Sequence, residues 1–282
     1  MLLPPDESCE FRTPDGLTLR GDVSGPPNEP TVVLLHGGGQ TRHAWSAERR
    51  LLAGAGYRAL AYDARGHGDS DWSPDGDYSA PALAGDLLAI LATLTGPIGL
   101  IGASMGGMSS FYAVGSAGRK IADALVLVDI VPNTVQAGVD RILRFMTSNA
   151  DGFATLEDAV RAVAAYNPHR PPPTNPDGLM RNLRLRPDGR LHWHWDPRLL
   201  QGRTPSPTMR DFASALAPQV TLPTLLVRGR ESDLLDDAGV AEFQRLLPQL
   251  ETVDVAGAGH MVVGDDNSRF HEGIIAFIDR HL

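Results

Sequence analysis

The chain has 282 residues, 42% hydrophobic and 21% charged, with a net charge of −9 and a single cysteine, Cys9. A chain of this length and composition buries a core without staples, and one cysteine excludes an internal disulfide. An acidic protein is a poor match for a phosphate backbone, and no run approaches ~18 apolar residues, so neither a nucleic-acid partner nor a membrane span is expected.

At the start, Met1-Leu2-Leu3 runs straight into Pro4-Pro5-Asp6-Glu7, with no basic segment and no long apolar stretch, so a cytoplasmic protein is expected. Glu10-Phe11-Arg12-Thr13 and Leu17-Thr18-Leu19-Arg20 flank Pro14-Asp15-Gly16 and predict a hairpin. Apolar strands then alternate with helical stretches. Strand 31–35 precedes a helix near 44–54, strand 58–62 a helix near 81–95, and strand 98–101 a helix over 106–117; Leu125-Val126-Leu127-Val128 is the next strand. Continuous apolar strands separated by helices predict parallel pairing, with a ligand site at the carboxyl ends of the strands.

The alternation breaks after Val131. Residues 131–213 hold ten of the 22 prolines and carry a net +3, against −12 for the rest of the chain. This segment is expected to be an inserted cap, with the core formed by 1–130 and 214–282. Helices are predicted near 136–147 and 155–166, the second opened by a capping box, Thr155-Leu156-Glu157-Asp158. Pro171-Pro172-Pro173 reads as a short stiff loop. A second hairpin pairs 183–186 with 190–195 around Pro187-Asp188-Gly189, with Leu191, Trp193 and Trp195 on one face and His192 and His194 on the other. No carboxylate or third histidine stands at ligand spacing from that histidine pair, so no metal is expected.

After the insertion, strand 223–227 leads into Arg228-Gly229-Arg230-Glu231-Ser232-Asp233, and strand 252–255 ends at Gly257-Ala258-Gly259-His260. Two motifs stand earlier, at other strand ends. Strand 31–35 runs into His36-Gly37-Gly38-Gly39, a loop able to present backbone N–H groups to an oxyanion. Strand 98–101 runs into Gly102-Ala103-Ser104-Met105-Gly106 and then a helix, the context of a nucleophile elbow. Small residues flank Ser104 because such a turn is tight, and the helix N-terminus beneath it supplies free N–H groups.

The order serine, acid, histidine, together with the glycine loop and the turn Tyr62-Asp63-Ala64-Arg65-Gly66-His67-Gly68-Asp69-Ser70, resembles the α/β-hydrolase family. The likeness covers nearly the whole chain outside the insertion. Its nearest branch is that of esterases, carbon–carbon hydrolases and cofactor-free haloperoxidases. It implies an α/β-hydrolase fold, a mostly parallel sheet flanked by helices. Ser104 would be the nucleophile, His260 the base, and Asp233 the acid, since Asp233 follows the strand where this fold usually keeps it. Asp129, ending an earlier strand, is a rival seen in some members. The oxyanion donors would be the N–H groups of Met105 and of one glycine among 37–39, with Gly38 the candidate. Trp193 and Trp195 are candidates to line the pocket; His36, Asp63, Arg65 and His67 read as structural.

The expected activity is a serine hydrolase that cleaves a small-molecule carboxylic ester through an acyl-enzyme, with no cofactor. Carbon–carbon hydrolysis or perhydrolysis by the same triad, and a non-catalytic ligand-binding protein on the same shell, are the alternatives.

Overall fold

The computed structural model describes residues 6–166, 176–200, 208–260 and 268–282. The N-terminal Met1–Pro5 segment and the Pro171–Pro173 loop lie outside them.

The first hairpin forms as expected, β1 (Glu7–Arg12) against β2 (Thr18–Ser24), closed by the Gly16 N–H on the Thr13 carbonyl at 3.0 Å. Then follow β3 (Thr31–Leu35), α1 (Ser46–Gly54), β4 (Arg58–Tyr62), α2 (Ala80–Leu91), β5 (Ile98–Ala103), α3 (Met105–Ser116) and β6 (Ala124–Val128). After β6 come α4 (Gln136–Thr147), α5 (Leu156–Tyr166) and a two-stranded hairpin, β7 (Leu183–Leu185) with β8 (Leu191–Trp193). The chain closes with α6 (Met209–Leu216), β9 (Thr224–Gly229), α7 (Asp237–Leu246), β10 (Leu250–Val255) and α8 (Ser268–His281).

Eight strands make one sheet in the order β1-β2-β4-β3-β5-β6-β9-β10, antiparallel at β1-β2-β4 and parallel from β4 onward. The parallel strands β3, β5 and β6 are buried along their whole length, which is why they read as unbroken apolar runs. Side chains alternate between two cores. Val33, Leu35, Leu100 and Leu127 pack with Leu87, Phe111, Phe212 and Phe243 of α2, α3, α6 and α7. Val32, Leu34, Ile101 and Val126 pack with Leu52, Phe270 and Phe277 of α1 and α8.

The segment from α4 to β8 and Trp195 has an apolar cluster of its own, Met146, Phe153, Ala159, Leu183, Trp193 and Trp195. Helix α5 opens with the expected capping box: Asp158 N–H donates to Thr155 Oγ1 at 3.2 Å, and Thr155 N–H to Asp158 Oδ2 at 3.1 Å. Met209, Phe212 and Ala213 of α6 belong to the cluster around Phe111. Among the described residues, no helix is long and apolar enough to cross a membrane.

Candidate active site

Ser104 stands between the last residue of β5 and the first of α3 with φ 47° and ψ −111°, a backbone conformation unusual for a residue with a side chain. The sheet holds it there, through Ser104 N–H on the Val128 carbonyl at 3.0 Å. The flanking glycines are required by close approach. A Cβ on Gly102 would lie 2.5 Å from the backbone of Gly106, and one on Gly106 would lie 2.4 Å from the Leu35 carbonyl oxygen. The elbow therefore rests directly on both β3 and its own helix.

The histidine's partner differs from the expected one. His260 Nδ1 lies 2.7 Å from Asp129 Oδ2, whereas Asp233 makes an ion pair with Arg141 of α4 at 2.8 Å. Asp129 is 1% exposed, and its carboxylate receives two further bonds, from Ser232 Oγ to Oδ2 at 2.6 Å and from Gly229 N–H to Oδ1 at 3.2 Å. The local turn is the reason. Ser232 N–H bonds back to the Gly229 carbonyl at 3.1 Å, and the Ser232 side chain reaches Asp129. Asp233 instead faces α4, where a Cβ on Gly138 would lie 2.4 Å from the Asp233 carbonyl oxygen. Asp129 itself sits at φ 51° at the end of β6, the strand adjacent to the one that carries Ser104. The loop bearing His260 returns over the same turn, with Glu231 N–H on the Ala258 carbonyl at 3.0 Å.

In the His36–Gly39 loop, two of the three glycine N–H groups are already engaged. Gly37 N–H donates to Gln40 Oε1 at 2.9 Å and Gly39 N–H to His67 Nε2 at 3.1 Å. Among the described residues no acceptor meets the Gly38 N–H. A Cβ on Gly38 would stand 4.0 Å from Met105 Cβ, and one on Gly37 would stand 3.5 Å from Ser104 Cβ, so the loop runs beside the elbow. The N–H of Met105, the first residue of α3, has no acceptor within its own helix.

Three buried imidazoles brace this loop. The ring centroids of His36 and His67 are 5.0 Å apart, and those of His67 and His194 are 5.8 Å apart. Backbone donors set their tautomers. His36 Nε2 accepts from Ala64 N–H at 3.0 Å, so Nδ1 carries the proton toward the Gly37 carbonyl at 2.8 Å. His67 Nε2 accepts from Gly39, so its Nδ1–H faces the Arg65 carbonyl at 3.0 Å. Burial pushes His36 down to about 4 and His67 to about 3, the latter also through His36, and burial holds His194 well below the ordinary histidine range. Asp63, fully buried, accepts from Arg42 N–H at 2.7 Å and Asp69 N–H at 2.9 Å, and Arg65 binds Asp86 of α2 through two bonds at 2.6 and 2.7 Å. These residues hold the turn after β4 against the glycine loop.

Trp193 and Trp195 stack at 4.9 Å with an interplanar angle of 11° inside the insertion's own cluster, 8% and 5% exposed. Trp195 reaches the glycine loop, where a Cβ on Gly39 would lie 3.3 Å from its ring; Trp193 packs against Phe145 and Phe153. His192 and His194 have separate partners, Asp188 Oδ2 at 2.7 Å for the first and backbone groups of Gly68 and Gly39 for the second. Ser232 and Gln40 are the site residues that reading the sequence passes over. Neither carries a signal of its own, because Ser232 acts on a partner 103 positions away in sequence and Gln40 on a backbone group.

Comparison with known proteins agrees with this architecture. Residues 30–266 match the alpha/beta hydrolase fold family. Esterase Rv0045c of Mycobacterium tuberculosis is 28% identical over 264 residues, covering 89% of this chain and 83% of that protein. The 2-(acetamidomethylene)succinate hydrolase of Mesorhizobium japonicum is 30% identical over 253 residues, covering 87% and 85%. The crystal structure of an alpha/beta hydrolase from Novosphingobium aromaticivorans superposes with a TM-score of 0.80 at 27% identity, over 98% of both chains. With the sheet order, the elbow and 237 consecutive positions of family likeness in agreement, the chain belongs to the alpha/beta hydrolase fold family.

Proposed function

We propose that this protein is a serine hydrolase that cleaves a small carboxylic ester through an acyl-enzyme. The observation that carries the reading is the strained Ser104 at φ 47°, at the N-terminus of α3, beside a strand end whose buried Asp129 holds His260 Nδ1 at 2.7 Å. That bond fixes the proton on Nδ1 and leaves Nε2 as the basic nitrogen. Nε2 takes the Ser104 proton as Oγ attacks the ester carbonyl. The Gly38 and Met105 N–H groups receive the oxyanion. The C–O bond to the alcohol then breaks, and Nε2 returns the proton to the leaving oxygen. Water, deprotonated by the same nitrogen, attacks the acyl-enzyme and releases the acid and Ser104.

Asp129 takes the orienting role that family resemblance assigned to Asp233. The 131–213 segment acts as the cap, with Trp195 beside the oxyanion loop and Trp193 behind it. The chemistry needs no cofactor, and the cytoplasm remains the expected compartment. A relative named esterase supports the ester reading. A relative named 2-(acetamidomethylene)succinate hydrolase supports a second one, in which the same groups act on another carbonyl substrate.

The test is fluorophosphonate labelling together with turnover of a panel of esters, lactones and ring-cleavage products. The wild type labels and turns over esters, and Ser104→Ala does neither while staying folded. Undiminished turnover by Ser104→Ala would falsify the reading.

A further inference from the structure

His194 belongs to the insertion, yet it bonds to the oxyanion loop. Its Nδ1 accepts from Gly68 N–H at 2.6 Å, which leaves the proton on Nε2, directed at the Gly39 carbonyl oxygen at 3.2 Å. Gly39 is thereby gripped on both sides, its N–H by His67 and its carbonyl by His194. Its φ of 76° is one that only a residue without a side chain adopts freely. The neighbouring Gly38 N–H, the candidate oxyanion donor, hangs between this grip and the Gly37–Gln40 bond.

Docking the insertion does not depend on His194. Asp196 N–H bonds the Gly66 carbonyl at 2.9 Å, and Tyr78 Oη–H bonds Asp196 Oδ2 at 2.5 Å. Arg198 donates to the carbonyls of Pro74 and Ser73 at 2.9 and 2.8 Å. These contacts seat the segment on the turn after β4. The bond to Gly39 adds little to that seating and bears directly on the loop.

We infer that His194 is a positioning residue for the oxyanion loop: by holding the Gly39 carbonyl it aims the Gly38 N–H, so the insertion takes part in the chemical step as well as in substrate choice. The inference rests on the serine-hydrolase reading. Loss of an oxyanion donor costs on the order of 10²–10³ in kcat, and a misdirected donor loses part of that.

The experiment compares kcat and KM of wild type, His194→Asn and His194→Gln on an acetate ester and a long-chain ester. Asn can accept from Gly68 N–H but is too short to reach the Gly39 carbonyl, whereas Gln carries an N–H as far as Nε2. His194→Asn lowers kcat by about 10- to 100-fold on both esters with KM within about 3-fold, and His194→Gln recovers most of the loss. If His194→Asn does not fold, His194→Met replaces it, since Met fills the space of Gln without the donor and falls below Gln by about 10-fold in kcat. A raised KM at unchanged kcat, a loss that grows with acyl length, or equal kcat in the variants with and without the donor overturns the inference. In that case wild-type turnover and labelling at Ser104 persist. A wild type inert to every ester and unlabelled at Ser104 overturns the serine-hydrolase reading, and the inference with it.

Discussion

Ser104 and Asp129 end adjacent parallel strands, β5 and β6, and both depart from ordinary backbone with positive φ, 47° and 51°. Each is pinned by the next strand of the sheet, Ser104 N–H on the Val128 carbonyl at 3.0 Å and Asp129 N–H on the Val227 carbonyl at 2.8 Å. Two strained corners, one strand apart, thus set Ser104 and Asp129 against the same rim. His260 is brought back to that rim by the loop that follows β10.

The proposed roles make the two carboxylates, Asp129 and Asp233, separable by mutation. Asp129→Asn leaves His260 without its orienting acceptor and should lower kcat by on the order of 10⁴, the cost of the equivalent change in a serine protease. Asp233→Asn removes only an ion pair that is more than a third exposed and should leave kcat within about 3-fold, since such pairs contribute little. Steady-state kinetics on one small ester measures both; reversed losses would return the acid to Asp233.

Ser232 shares Asp129 Oδ2 with His260. Ser232→Ala removes one charge-assisted bond from a buried carboxylate and should lower kcat by about 10-fold, equivalent to roughly 1.4 kcal/mol. Ser232→Thr keeps the hydroxyl and should recover most of it. An unchanged kcat in Ser232→Ala would remove Ser232 from the positioning of the acid.

Acid should destabilise the protein through its cluster of buried imidazoles. His36, His67 and His194 are neutral in the fold and free to charge when unfolded, so the unfolded chain binds more protons below about pH 6.5. Their contribution is whole above that value. It is lost as pH falls toward about 4 for His36 and about 3 for His67. Urea midpoints at pH 7.5, 5.5 and 4.5 should fall in that order, and a midpoint independent of pH across this range would contradict the neutral assignment.

The elbow tolerates no added methyl. Gly102→Ala places a Cβ 2.5 Å from the Gly106 backbone and should destabilise by about 1–3 kcal/mol, read as a lowered urea midpoint at unchanged slope. A variant as stable as wild type would mean that α3 can withdraw from β5.

The elbow and glycine loop are legible in the sequence because their chemistry is local: a strand, a tight turn and a helix occupy consecutive residues. The carboxylate beside His260 is not legible in the sequence, because it depends on which strand end faces that histidine, a relation across 131 residues. One sign of it lay in the chain. Asp129 is a lone charge between Val128 and Ile130-Val131, and a carboxylate inside an apolar run requires buried donors. The insertion's hairpin was legible from Pro187-Asp188-Gly189 and its alternating Trp and His residues. Its grip on Gly39 was not, because His194 meets that residue at a distance of 155 positions with a single ring nitrogen.

The segment between β6 and α6 stands on two supports, one on either side of Ser104 in the order of the strands. At one end Gly138 and Arg141 of α4 rest on the loop that carries Ser232 and Asp233; at the other, His194 and Trp195 rest on Gly39. It is therefore a crossbeam rather than a hinged lid. Swinging it away from either support pries at the other, so displacing it disturbs the Ser232–Asp129 contact and the glycine loop together.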